Sequence, residues 1–222
     1  MKSVRIHIVV EGQTEEEFVK EVLAPEFASR GISADARLIG VPGRKGGLVS
    51  WARLRVDIRE LLRGDRSAFT TTLFDFFRIG TDFPSHPFLG TDIGLKRRAV
   101  EESMLHGLRE FGLGEESLRR FVPYVQMHEF EGILFSDPAA LAEGIYCPDL
   151  TPKLQQIRNM HASPEHINDG AETAPSKQLL DACPSYRKVV YGNLAAIRVG
   201  IRAMRAECLH FNDWLTKLEA LE

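Results

Sequence analysis

Residues 4–17 read VRIHIVVEGQTEEE, and this stretch decides the fold. Val4 to Val10 is a short apolar run broken only by Arg5 and His7, the pattern of a strand buried in a parallel sheet. The run stops on Glu11 and Gly12, the glycine admitting a tight turn, and a helix is expected from Gln13 to Ser29. Thr14 with Glu17 three residues on reads as a capping box, and Pro25 should end or kink the later turns. Glu15, Glu16 and Glu17 fall in the first turn, where the helix macrodipole favours negative charge. Glu11 has no such explanation: it precedes the cap and directly follows the strand. Glu15 lies one helical turn after it, close enough to support whatever Glu11 does.

Outward from this stretch the same alternation repeats. Ala34 to Gly40 is a weaker strand, followed by the loop VPGRKGG. Leu48 to Arg63 is a helix with Trp51, Leu54, Ile58, Leu61 and Leu62 on one face. Thr70 to Phe77 (TTTLFDFF) is rich in β-branched and aromatic residues, as a central strand requires. After a loop with Pro84, Pro87 and Gly90, Leu95 to Phe111 is helical. Phe121 to Met127 is a further strand, which Pro123 places near an edge or a bulge. The order predicts an α/β fold with a mostly parallel sheet, helices on both faces, and right-handed crossovers.

From His128 the pattern turns helical. Segments are expected at Glu129 to Phe135, Ala139 to Gly144, Lys153 to His161, Ser176 to Ala182 and Tyr191 to Leu221, the last broken at Gly200 and His210. Residues 1–144 then form the α/β core, and residues 145–222 a helical extension packed on it as part of one unit.

The chain has 222 residues, 44% hydrophobic and 27% charged, which suits one sizeable core. No apolar stretch approaches the roughly 20 residues of a membrane span. The first residues enter a strand pattern without the features of a signal peptide, so no membrane association and a cytoplasmic location are expected. Cys147, Cys183 and Cys208 are scattered and predict neither a disulfide frame nor a zinc site. The net charge of −3 argues against gripping nucleic acid by bulk electrostatics. Local basic patches exist at Arg44 and Lys45, at Arg53, Arg55 and Arg59, and at Lys96, Arg97 and Arg98; each also reads as a solvated face.

Three of the strands end in carboxylates: Glu11, Asp75, and Glu129 with Glu131. In an open parallel sheet ligands sit beyond the carboxyl ends of the strands, so these acids should meet on one edge. Asp75 lies among Phe74, Phe76 and Phe77, where an acid costs heavily unless paired or metal-bound. Carboxylate-only clusters suit hard cations such as Mg²⁺ or Mn²⁺. Two such ions about 3.5–4 Å apart can activate a water and stabilise a leaving oxygen in phosphodiester hydrolysis. If HEFE (128–131) continues the strand, Glu129 and Glu131 share a face. If a helix begins there, the two diverge and one reaches the site. His128 is placed to orient a carboxylate or shuttle a proton. Gly43, Arg44, Lys45, Gly46 and Gly47 can offer backbone N–H groups and charge to a phosphate, although no GxxxxGK[ST] loop is present.

The segments VEGQTEEEFV, GRKGG, TLFDFF, YVQMHEFEGILFSDP and TAPSK together resemble a bacterial family of small TOPRIM-like proteins of unknown function, related to the OLD-type nucleases. The resemblance covers nearly the whole chain. It implies a TOPRIM-like (Rossmann-like) fold, Mg²⁺ or Mn²⁺ as cofactor, and an AAA- or ABC-type ATPase as partner in anti-phage defence. It places the TOPRIM glutamate on Glu11 and the first acid of an Asp-x-Asp motif on Asp75; the second acid would fall on Phe77, which cannot bind metal. Glu129 and Glu131 match the downstream acids, and Lys177 the basic residue near the scissile phosphate. The function so implied is that of a metal-dependent nuclease, acting on DNA ahead of tRNA or other RNA, with oligomerisation left open. Two alternatives stand beside it: a non-catalytic subunit binding a partner or nucleic acid, and a small-molecule phosphohydrolase.

Overall fold

The computed structural model describes residues 4–40, 48–167 and 173–222. Among these, four parallel strands run in the order β2-β1-β3-β4: β1 Val4–Val10, β2 Ile32–Leu38, β3 Ala68–Leu73 and β4 Phe121–Val122. The connection from β1 leads to one side and that from β2 returns to the other. The β1/β3 boundary is therefore a topological switch point, where the strand ends diverge and leave a crevice.

β1 alternates as a strand covered on both faces must. Ile6, Ile8 and Val10 enter one apolar cluster, with α1 (Gln13–Phe18), α2 (Ala24–Ala28) and the helices that follow β4. Val9 enters a second, built by α3 (Trp51–Gly64) and α4 (Ile93–Glu110). In α3 the buried residues are Trp51, Leu54, Ile58 and Leu62, one stripe of a 3.6-residue period. After β4 come α5's successors: α5 itself (Glu115–Leu118) precedes β4, and α6 (Glu131–Leu134), α7 (Pro138–Gly144), α8 (Thr151–Asn159), α9 (Pro175–Ala182), α10 (Lys188–Glu207) and α11 (Leu209–Glu219) follow it. α11 seats on the sheet through Trp214, which stacks on Tyr124 with ring centroids 4.3 Å apart and donates its indole N–H to Thr71 Oγ1 at 2.9 Å.

Several local expectations are corrected. Gly12, not Thr14, caps α1; Thr14 lies inside the helix with its side chain buried, and Glu17 faces Lys20. Gly12 is extended (φ −157°), a conformation open to any residue, so no tight turn requires a glycine. What a Cβ would meet is the Glu15 carboxylate, 3.3 Å away. Pro25 neither ends nor sharply breaks the helix. A π turn at Val19–Leu23 precedes it, and the wider turn relieves the clash between the proline ring and the preceding carbonyls.

The strand predicted at residues 70–77 stops at Leu73, and that predicted at 121–127 at Val122. Pro123 has no N–H to give the ladder, and the threonines of β3 fill the gap. Thr71 Oγ1 donates to Val122 O, and Thr72 Oγ1 both donates to Tyr124 O and accepts from Tyr124 N–H. Backbone pairing resumes as a single bridge between Asp75 and Gln126. The last long helix breaks at Gly200, as expected, but the second break falls at Cys208 rather than His210. Cys147 and Cys183 pair as a disulfide although their spacing carried no such signal. Among the described residues no helix is long and apolar enough to cross a membrane.

Candidate metal centre

Val10 pairs with Leu73 across the β1/β3 boundary, so Glu11 leaves the sheet level with Phe74 and Asp75 follows one residue later. The switch-point crevice therefore receives both acids, though they are far apart in sequence. The Asp75 backbone N–H donates to Glu11 Oε2 at 3.1 Å, fixing the two segments to each other. Glu15, in the first turn of α1, is 2% exposed and turns back toward them. Glu11, Glu15 and Asp75 each offer one carboxylate oxygen, all within 4.8 Å of one another.

Asp75 is 1% exposed. Its Oδ1 accepts the Phe130 N–H at 2.7 Å, which leaves Oδ2 facing the pocket. HEFE resolves as a helix start: α6 begins at Glu131, so the two glutamates diverge. Glu131, fully buried, turns inward. Glu129 turns away and accepts the Ser176 N–H at 3.0 Å, at the start of α9. Of the two, Glu131 reaches the triad, through the Lys188 ammonium that it shares with Asp75 and Glu15, while Glu129 is held by the Ser176 N–H.

A cation that the sequence did not single out completes the pocket. Lys188, the first residue of α10, places Nζ 3.0 Å from Glu131 Oε2, 3.5 Å from Asp75 Oδ2 and 4.0 Å from Glu15 Oε1. Arg78 Nε stands 3.6 Å from Glu11 Oε1, and the Tyr186 hydroxyl donates to Glu131 Oε1 at 3.4 Å. Lys177, the basic residue the sequence favoured, lies half-buried in the first turn of α9, next to the Ser176 that binds Glu129. The helix expected from Tyr191 in fact starts at Lys188, which places this ammonium in its first turn.

Burial governs the electrostatics. It pushes the Glu11 carboxyl up to about 7, helped by the neighbouring Glu15 and opposed by the Asp75 N–H, Lys188 and Arg78. Asp75 rises well above the usual carboxylate range through burial, with Lys188 opposing. Glu131 rises for the same reason. For Lys188 burial pulls the ammonium down, but Asp75, Glu131 and Glu15 outweigh it and the net shift is upward. Glu15 Oε1 is buried with no hydrogen-bond partner, a costly arrangement that a bound cation relieves. An oxygen-only donor set with an orphaned buried oxygen fits a hard divalent ion.

The remaining expected residues fall elsewhere. His128 adopts a left-handed backbone (φ 63°) and its ring lies against Phe77, centroids 5.4 Å apart. Phe77 itself is 46% exposed, outside the cluster. Gly43, Arg44, Lys45, Gly46 and Gly47 lie outside the described residues. The helical basic patches are largely committed: Arg53 pairs with Asp57, Arg55 and Arg59 lie over the Phe111 ring, and buried Arg97 pairs with Glu101.

Fold and site together define an α/β protein with a carboxylate-rich pocket, able to hold a cation, at the switch point of a parallel sheet. More particularly, the chain belongs to the family described as a domain of unknown function (DUF4276), whose model matches residues 10–219. Among solved structures, the C-terminal region of the Xanthomonas campestris pv. campestris OLD protein is similar. It is 16% identical, with a TM-score of 0.35 over 90% of this chain and 98% of that one. No curated protein matches the chain.

Proposed function

We propose that this protein is a divalent-metal-dependent nuclease of TOPRIM-like type, working with an ATPase partner in anti-phage defence. The observation that carries the reading is the convergence of Glu11, Glu15 and Asp75 within 4.8 Å, with one buried oxygen of Glu15 making no hydrogen bond, at the sheet's switch point. The sequence resemblance supplies the reaction class and the partner. Glu11, Glu15 and Asp75 would hold Mg²⁺ or Mn²⁺. Such an ion, when bound, lowers the pKa of a water and polarises a phosphoryl oxygen. The chain's own residues supply the rest. Asp75 is held by the Phe130 N–H and Glu11 by the Asp75 N–H, so the acids are set before any ligand arrives. Lys188 and Arg78 bring positive charge to the pocket, where a phosphodiester's developing charge needs it.

The test is incubation of the purified chain with duplex DNA, and separately with tRNA, in Mn²⁺ and in Mg²⁺, alone and with any ATPase found to be encoded beside it. Metal-dependent cleavage that Glu11→Ala and Asp75→Ala both abolish is the expected result. Cleavage that survives both substitutions overturns the site assignment. A second reading, a non-catalytic subunit that binds a partner or nucleic acid, is favoured by one observation. Two residues after Asp75, Phe77 is exposed against His128 rather than an acid in the cluster. Absence of Mn²⁺ affinity near millimolar by calorimetry, with the fold intact, selects that reading.

A further inference from the structure

We infer that Lys188 holds the place of a second cation, so that the pocket takes one divalent ion per chain rather than two. The inference rests on the metal-binding reading above and goes beyond it. Lys188 Nζ lies beside the Glu11–Glu15–Asp75 triad, on the side of Glu131, 3.0 Å from that carboxylate and 3.5 Å from Asp75 Oδ2. A second ion sharing Asp75 with the first would need an oxygen on that side. Asp75 Oδ1 is committed to the Phe130 N–H, and Oδ2 already faces the ammonium. Nor does Glu11 keep an oxygen for a second ion: whichever one a first ion takes, the other is engaged, Oε2 by the Asp75 N–H or Oε1 by Arg78.

Charge points the same way. Among the described residues, Glu11, Glu15, Asp75 and Glu131 bring four carboxylates, and Lys188 and Arg78 bring two cations. One divalent ion neutralises the remainder, and a second would overcharge a pocket that Glu131 and Asp75 keep almost wholly out of water. Nor is Lys188 placed there for its own helix. As the first residue of α10 it sits at the positive end of the helical run that extends to the break at Gly200, where a cation is disfavoured. The acids hold it there.

The experiment counts bound Mn²⁺ per full-length chain, by equilibrium dialysis with metal analysis and by calorimetry, for wild type, Lys188→Ala and Lys188→Gln. One ion in wild type and two in the folded variants is the expected result. Two ions in wild type, or one in wild type and one in both variants, overturns the inference and leaves the metal-site reading standing. No ion in wild type overturns the metal-site reading itself. Should both variants fail to fold, an anomalous difference map of Mn²⁺-soaked wild-type crystals decides. A single Mn²⁺ peak with Lys188 still on Glu131 supports the inference; a peak in place of a displaced Lys188 refutes it.

Discussion

The molecule buries acids in two regions and treats them in opposite ways. Glu165, just before α9, is 2% exposed, and both of its oxygens are used. Oε2 accepts the His210 N–H at 3.0 Å and Oε1 the Phe211 N–H at 2.9 Å. Those are orphan donors of the first turn of α11, so the carboxylate caps that helix from a distant segment. In the switch-point pocket the same burial leaves Glu15 Oε1 without a hydrogen bond and gathers three further carboxylates around it. A buried acid that serves the fold spends its oxygens on the backbone. One that keeps an oxygen in reserve costs the fold stability and leaves that oxygen open to a ligand.

The contrast is testable at its strongest point with Asp75→Asn. The amide oxygen can still accept the Phe130 N–H, so the fold should persist by circular dichroism. Metal-dependent cleavage should fall about 1,000-fold, some 4 kcal/mol of barrier, in a steady-state assay. A comparable loss of melting temperature instead would place Asp75 with Glu165. The next largest effect is pH dependence. A carboxyl raised from 4.5 to about 7 leaves the native state holding the extra proton, so stability falls as pH rises through that window. The metal-free protein should therefore lose up to about 3 kcal/mol between pH 4.5 and 7.5 in urea titrations, and Glu11→Gln should flatten the slope. Added Mn²⁺ should restore stability at the alkaline end.

Glu165→Ala should behave the other way, with no change in metal binding and a loss of about 2–3 kcal/mol in the same titrations, since two helix N–H groups lose their acceptor. If it proves neutral, the distinction between the two regions fails. The smallest effect is expected at Thr72→Val, which removes the hydroxyl that serves both the N–H and the carbonyl of Tyr124. A loss of about 1–2 kcal/mol is predicted, with Mn²⁺ affinity unchanged by calorimetry.

The sheet and its covering helices were legible because apolar periodicity is a local signal: β1 and the buried stripe of α3 both follow from spacing alone. Glu11 was legible for a related reason, as an acid ending a strand where no cap needs it. The different surroundings of Glu129 and Glu131 were not, since they turn on whether HEFE continues the strand or starts a helix and on which way that helix start faces. Lys188 was less legible still. In SYRKVVYG it reads as a surface lysine, and only the packing of α10 against α1 and α7 brings it to acids far away in sequence. The threonine-bridged gap beside Pro123 likewise depends on two strands at once. Pairings between distant segments leave little trace in either segment's own pattern.

Asn193, one turn and a half along α10 from Lys188, donates its side-chain N–H to the Thr14 carbonyl, a contact spanning 179 residues. Its consequence belongs to synthesis rather than to the finished molecule. At the usual pace of translation, the amino-terminal acids emerge on the order of 10–30 s before the helix that supplies their ammonium and clasps α1. Through that interval the nascent sheet carries a knot of carboxylates with no Lys188 to meet it. The edge of the sheet that becomes the pocket thus waits for a closing piece made late in synthesis.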